Sequence, residues 1–283
     1  MMTAKQPANV AVLGLGIMGT AIATNLEQDG LLAATWNRSN KPGFPKFRDS
    51  ISDAVRDSEI ILILVTDDRA VFEVLDLIQP YLSAQHLVIQ CSTVNPQSNI
   101  DLQLRTEKTG ARFIEALIGG SKGAAIARKI IFYTGGDKTQ ADRAQQILAK
   151  ISANVVYVGA VGKASAVKLA MNLNLAMQIE ALCESFAYAE RAGIDAETYF
   201  NVLKNNTAWC RLVDYKEASL RDKEFSPQFS VKNMLKDIRL ALDTDKTDHG
   251  LTLLKAAEKI YSSAEAAGLG EDDMIALYKL LNN

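Results

Sequence analysis

Cysteine, histidine and tryptophan are scarce in this sequence: three, two and two residues among 283. Cys91, Cys183 and Cys210 lie far apart, are odd in number and form no C-x-x-C pair. That argues against a disulfide framework or a thiolate zinc site and leaves reduced core cysteines. His86 and His249 have no second ligand nearby, so no metal-dependent chemistry is expected. No apolar run approaches the ~18–20 residues that span a bilayer. The longest candidate, Ile60 to Val65, has the length of a buried strand. The polar N-terminus, Met1 to Asn9, lacks the apolar core of a secretory signal, so a cytoplasmic location without membrane attachment is expected. An excess of one charge sign is lacking too. Thirty-one basic residues against 33 acidic ones leave a net charge of −2, with no global attraction to nucleic acid or to an anionic membrane. Internal repeats and low-complexity segments are also absent.

What is present is a globular composition, 48% hydrophobic and 23% charged, with ample material for a core. The length suits one large domain or two smaller ones. In the first half, short apolar or β-branched runs alternate with helical patterns. Asn9–Leu13, Ala33–Trp36, Ile60–Thr66, Leu87–Cys91, Arg112–Glu115 and Lys129–Thr134 read as strands, and Val155–Gly159 follows as a further apolar run. Most are almost continuously apolar, as parallel strands covered on both faces must be. Between them, Met18–Asp29, Arg69–Tyr81 and Thr139–Ile151 read as helices. Repeated β-α-β units imply an α/β fold with a doubly wound parallel sheet. After Gly162 helix formers dominate. Lys163 to Arg191 runs twenty-nine residues without glycine or proline and stops at Ala192-Gly193. At ~1.5 Å per residue that helix is on the order of 40 Å long. Apolar residues on more than one face (Val167, Leu169, Met171, Leu173, Leu175, Met177, Ile179) predict burial all round, between domains or subunits. The expected organisation is a Rossmann domain over 1–162 and an all-helical domain over 163–283, joined by this helix.

Directly after the first strand comes Gly14-Leu15-Gly16-Ile17-Met18-Gly19, opening a helix. A lone G-x-G-x-x-G is weak evidence, but this one lies between a strand and a helix at the start of a β-α-β series. There Gly14 allows the tight turn, Gly16 lets a pyrophosphate approach the backbone, and Gly19 permits close helix–strand packing. The helix N-terminus offers free N–H groups to phosphate. A purely structural glycine turn is the alternative. About twenty residues on, NAD-binding sites usually carry an acid for the ribose hydroxyls; this sequence has Asn37-Arg38-Ser39. Each of the three can donate to a 2′-phosphate, and Arg38 does so as a fixed cation, so NADP is the expected cofactor. A solvated surface arginine is the competing reading. Other strand ends supply Thr66 as a cofactor contact and Thr93 as a contact near nicotinamide or substrate, whereas Asp67 or Asp68 suits a helix cap.

Later segments carry a resemblance. Gly14–Gly19 with Asn37-Arg38-Ser39, Glu115–Ser121, Gly159–Gly162 leading into Lys168-Leu169-Ala170-Met171-Asn172, and Phe229 with Lys236–Leu242 stand in the order of one family. In these motifs the chain resembles the β-hydroxyacid dehydrogenases, which include 3-hydroxyisobutyrate dehydrogenases, and especially their glyoxylate and succinic semialdehyde reductase branch. The resemblance implies that Lys168 is the acid/base and that Asn172 orients it or the substrate. The chemistry agrees: a carbonyl reduced at carbon needs a proton and a nearby positive charge at oxygen, and an ammonium supplies both. Enclosure would lower its pKa toward neutrality. A lysine snorkelling at a domain edge is the bland alternative.

Gly119, Gly120 and Ser121 are implied to receive the substrate carboxylate through backbone N–H groups. The family usually reads Pro-Val-Ser-Gly where this chain has Leu117-Ile118-Gly119-Gly120, so the serine hydroxyl expected at 119 is missing, with Ser121 or Lys122 as candidate substitutes. Lys236 is implied to face cofactor or substrate, Asp237 to join the polar network, and Phe229 to wall the pocket or belong to the core. The expected activity is NADPH-dependent interconversion of a small aldehyde acid and its hydroxy acid, by a homo-dimer or homo-tetramer. Two other readings stand beside it. One is an imine reductase-like enzyme, against which Lys168 argues; the other is an inactive NADP-binding module, motivated by the missing serine.

Overall fold

The computed structural model describes residues 9–247 and 250–281. The segment before Asn9, and His249, fall outside them. Two compact units divide between Lys168 and Leu169.

The first unit is built on a seven-stranded sheet. Its strands are β1 (Val10–Leu13), β2 (Leu32–Trp36), β3 (Ile60–Ile63), β4 (Leu87–Gln90), β5 (Arg112–Gly119), β6 (Ile131–Gly136) and β7 (Asn154–Gly159), in the spatial order β2-β1-β3-β4-β5-β6-β7. The helices are α1 (Ile17–Gln28), α2 (Ile51–Arg56), α3 (Asp68–Ile78), α4 (Pro96–Glu107), α5 (Lys122–Ile126) and α6 (Lys138–Leu148). Strand pleating sends alternate residues to two cores. Val10, Val12, Ile60, Leu62, Ile89, Ile114, Ala116 and Phe132 pack with α1, α5 and α6. Ala11, Leu13, Ile61, Ile63, Val88 and Phe113 pack with α2, α3 and α4. The reversal of the strand order at β1 and β3 is the switch point that defines a doubly wound sheet.

Two strand limits differ most from the sequence reading, each for a tertiary reason. β3 ends at Ile63, because Val65 N–H donates to Ser92 Oγ at 2.8 Å and the chain turns into α3. β5 runs on to Gly119 because β6 pairs with it antiparallel, Ile114 opposite Gly136 and Gly119 opposite Ile131. The link 120–130 holds only the five-residue α5, too short for the crossover that a parallel neighbour requires. β6 and β7 are again parallel.

The second unit is helical. α7 (Lys163–Arg191) carries the chain across the division, followed by α8 (Ala196–Lys204), α9 (Arg211–Arg221), α10 (Val231–Thr244) and α11 (Thr252–Ala264), then a terminal segment Met274–Leu281. Leu169, Ala176, Ile179, Cys183 and Phe186 form one buried stripe of α7 within this core, with Phe200, Leu220, Met234, Ile238 and Tyr261. The predicted burial all round is not met among the described residues. Met171 is 48% exposed and Tyr188 72%, because no described element covers these apolar residues of α7. Burial pushes the Cys183 thiol up to about 12, which makes it an inert core group. No described helix is long and apolar enough to cross a membrane, and no described cluster of three His, Cys, Asp or Glu residues could hold a metal.

Candidate active site

The glycine loop joins β1 to α1, and its three glycines answer to different constraints. Gly14 has φ +106°, in the left-handed region that disfavours side chains, and a Cβ there would lie 2.1 Å from the Leu64 carbonyl oxygen. At Gly19 a Cβ would lie 1.9 Å from the Gly14 carbonyl oxygen, so helix and turn meet backbone to backbone. Gly16 is the opposite case. Beyond its two chain neighbours, nothing in the fold comes within 4 Å of its Cβ position, and its φ of −75° suits any residue. The fold does not demand glycine at 16, yet a side chain would fill the cradle in front of α1. Gly16 is also the N-cap of α1 and caps no N–H with a side chain, which leaves the first-turn N–H groups to an outside acceptor. Leu15, Ile17 and Met18 complete the loop, and Ile17 is half exposed at the helix start. A dinucleotide pyrophosphate fits this cradle.

The turn after β2 is tied to the loop. Asn37 Oδ1 accepts the Leu15 N–H at 2.9 Å, and its Nδ2 donates to the Ser39 carbonyl at 2.9 Å. Asn37 therefore shapes the backbone that carries Arg38 and Ser39. The Arg38 side chain is 82% exposed and makes a 3.4 Å ion pair with Glu73, whose other oxygen takes Arg69 Nε at 2.7 Å. Lys41 Nζ donates to the Leu15 carbonyl at 2.7 Å. Arg69 and Lys41 thus gather near the same turn. The sequence reading missed both, since neither falls in a motif. Thr66 lies in the β3–α3 loop with its hydroxyl on Asp67 Oδ2 at 3.1 Å, and Asp67 caps α3 by accepting the Ala70 N–H at 2.9 Å.

Beyond β4, Thr93 is half-buried next to a chain of interior polar groups. Ser92 joins the Gln90 side chain, Gln90 Nε2 donates to Asn99 Oδ1 at 2.8 Å, and Asn99 Nδ2 donates to Glu115 Oε2 at 2.7 Å. Glu115, wholly buried on β5, also accepts the Ala164 N–H at 2.8 Å and the Ser165 hydroxyl at 2.9 Å. Its carboxylate thereby caps the first turn of α7, where four orphan N–H groups and the helix dipole favour an anion. Burial raises its pKa, against which the hydrogen bonds from Ala164 and Ser165 act. Gly135 on β6 makes room, for a Cβ there would lie 2.6 Å from Glu115 Oε1. The anchor fixes the start of the helix that bears Lys168, half-buried and one turn beyond Ala164 and Ser165. Sequence reading used Glu115 only as part of a motif; its role needed the sheet.

At the end of β5, Gly119 closes the strand, and Gly120 has φ +139°, where an added Cβ would press on Ile130 Cγ2 at 2.9 Å. Ser121 is the N-cap of α5 and accepts the Ala124 N–H at 3.3 Å. Its oxygen is thus engaged as a cap, while Lys122 is exposed.

In the helical unit, Asn172 on α7 is buried and donates to Asp237 Oδ2 on α10 at 2.5 Å. Lys236 Nζ lies 2.7 Å from the other Asp237 oxygen. Phe229 packs, half-buried, against the helical core. Its N–H donates to Asp273 Oδ2 at 3.2 Å, as does that of Gln228 at 2.8 Å. Asp273 is in turn paired with buried Lys216 at 2.6 Å. This ion pair, unremarked in the sequence, sets the chain leading into α10.

Comparison with known proteins agrees with this anatomy. A family model described as the NAD binding domain of 6-phosphogluconate dehydrogenase matches residues 9–159. Another, described as NAD-binding of NADP-dependent 3-hydroxyisobutyrate dehydrogenase, matches residues 162–281. Glyoxylate/succinic semialdehyde reductase 2 of Arabidopsis thaliana is 26% identical, over 96% of this chain and 79% of its own length. A solved 3-hydroxyisobutyrate dehydrogenase of Mycobacterium tuberculosis with L-serine superposes with a TM-score of 0.86 at 26% identity, covering 98% of this chain and 99% of that one. An imine reductase variant from Myxococcus stipitatus reaches only 0.64 at 18% identity, covering 97% and 99%, a likeness of fold alone. With a glycine cradle built for a nicotinamide dinucleotide and both parts of the chain matched in order, this protein belongs to the β-hydroxyacid dehydrogenase family of NAD(P)-dependent oxidoreductases.

Proposed function

We propose that the chain reduces a small aldehyde acid of the glyoxylate or succinic semialdehyde class to its hydroxy acid with NADPH, with Lys168 as proton donor. The observation that carries the reading is the buried Glu115 anchor, which holds the first turn of α7 and so fixes the helix that presents Lys168. A fully buried carboxylate bonded to Asn99, Ala164 and Ser165 is a costly way to start a helix unless the placement of Lys168 in its second turn matters.

When bound, NADPH supplies two electrons and one hydrogen to the aldehyde carbon. Lys168 Nζ gives a proton to the carbonyl oxygen as charge develops there, and takes it back in the reverse direction. The backbone N–H groups around Gly119, Gly120 and Ser121 receive the substrate carboxylate, and Thr93 contributes nearby. Gly14 to Gly19 hold the pyrophosphate, and Thr66 borders the dinucleotide. Arg38, with Ser39 and Asn37, favours the 2′-phosphate; Arg69 and Lys41 add positive charge at the same turn. Asn172 and Asp237 act as a bonded pair that orients polar groups, Lys236 assists at the cofactor, and Phe229 offers an apolar wall. The reading takes the protein as cytoplasmic and as a homo-dimer or homo-tetramer, which light scattering tests.

The test is the initial rate of NADPH oxidation, with NADH in parallel, against glyoxylate, succinic semialdehyde, methylglyoxal and a cyclic imine. NADPH-selective turnover of the acid aldehydes, lost in Lys168→Ala with NADPH binding retained, is the expected result. Turnover of the imine alone, or none despite tight NADPH binding, refutes it.

A further inference from the structure

Position 119 carries no side-chain hydroxyl, and a phenol hydroxyl reaches its side-chain space from the neighbouring strand. We infer that Tyr133 Oη is a substrate-binding group that donates a hydrogen bond to the carboxylate of the aldehyde acid. This rests on the proposed function and specifies one of its contacts.

A Cβ built on Gly119 lies 2.8 Å from Tyr133 Oη and 3.2 Å from its Cζ and Cε2. The phenol therefore stands in the space into which a side chain at 119 would project. The sheet explains why. In the antiparallel β5–β6 pair, Leu117 faces Tyr133 and Gly119 faces Ile131, so Tyr133 is the diagonal neighbour of Gly119, within reach of a long aromatic. Pleating puts Glu115, Leu117 and Gly119 on one face of β5, with Tyr133 on the same face of β6; Ile114, Ala116, Ile118 and Phe132 fill the core on the other face. That face is the one on which Glu115 caps the start of α7.

The alternatives for this role are engaged elsewhere or exposed. Ser121 Oγ caps α5, and Lys122 is exposed. Tyr157 on β7 donates its hydroxyl to the Gly136 carbonyl at 3.0 Å, but no described residue accepts from the half-buried Tyr133 hydroxyl. A buried-side phenol O–H of this kind is suited to an anionic oxygen, to which its hydrogen bond is strongest.

The experiment compares wild type with Tyr133→Phe on the better of glyoxylate and succinic semialdehyde and on the neutral aldehyde of equal chain length. Binding of the matching hydroxy acid to the NADPH-saturated protein is measured by calorimetry. KM for the acid aldehyde and Kd for the hydroxy acid should rise about tenfold or more, with kcat, the neutral aldehyde and the melting temperature little changed. Tyr133→Ala combined with Gly119→Ser should recover most of the affinity that Tyr133→Ala alone loses. Unchanged KM and Kd in Tyr133→Phe, or no recovery by the added serine, overturns the inference and leaves the Lys168 reading standing. Failure of wild type to turn over acid aldehydes or to bind the hydroxy acid overturns both.

Discussion

Gly16 and Gly19 stand three residues apart in one loop, and alanine at each should do opposite things. At Gly19 the new Cβ would lie 1.9 Å from the Gly14 carbonyl oxygen, so α1 or the turn must move. Overpacking of this kind costs about 1–3 kcal/mol, from which the better helix propensity of alanine returns up to about 1. At Gly16 there is nothing to strike. Alanine removes backbone freedom from the unfolded chain, worth roughly 0.4–1 kcal/mol, and loses a comparable amount as a poorer N-cap. The two nearly cancel, so Gly16→Ala should leave stability within about 0.5 kcal/mol of wild type. For a unit of this size, ~2 kcal/mol is roughly 4–8 °C in Tm. Thermal unfolding without cofactor should place Gly19→Ala below both wild type and Gly16→Ala. NADPH fluorescence titration should then show at least a tenfold weaker Kd for Gly16→Ala, because its methyl occupies the pyrophosphate cradle. Were Gly16→Ala to melt as low as Gly19→Ala, or to bind NADPH as wild type does, the separation of structural from ligand-facing glycines would be wrong.

Three further perturbations test the interior. Glu115→Ala strips the cap from α7 and leaves Asn99 and Ser165 without their carboxylate, at a cost of several kcal/mol by urea unfolding (about 1–3 per orphaned group) and with a fall in turnover. A variant as stable and active as wild type would remove the anchor from the mechanism. Lys216→Met leaves Asp273 buried without its cation and should cost about 3–5 kcal/mol, seen as a lower urea midpoint; an unchanged midpoint contradicts this. Burial, and then the neighbouring charge of Glu184, raise Glu180 to about 7 from an ordinary value of 4.5. Because the folded state holds this proton more tightly, the stabilisation is complete below about 4.5 and is lost as pH rises through about 7. Relative to Glu180→Gln, wild type should lose on the order of 1–2 kcal/mol between pH 4.5 and 8, a figure reduced for partial exposure. Parallel stability curves for the two proteins across that range would refute the assignment.

Much of the architecture was legible because it is written in local periodicity. Apolar runs marked the strands, the glycine spacing marked the first turn, and a glycine-free stretch ending at Ala192-Gly193 marked α7. The absence of an acid at Asn37-Arg38-Ser39 raised the cofactor question without any coordinates. The length of β5 was not legible, because its last four residues are held as strand by β6, which local pattern does not reveal. Nor was the outer face of α7: apolar residues state a preference for burial, and only packing decides which of them obtain it.

The candidate site residues divide in the same way. Lys168, Asn172, Lys236 and Asp237 were named by their motifs, yet Asn172 and Asp237 meet only when α7 and α10 pack. Glu115 becomes a helix cap only because β5 lies beneath the start of α7. Gly119 reads as a loss in the chain, and only the pairing of β5 with β6 reveals Tyr133 in the space it leaves. Sequence by itself determined which residue types were available and their spacing along the chain. The tertiary structure decided which of them share a face, because strand pairing and helix packing join residues that no period along the chain connects.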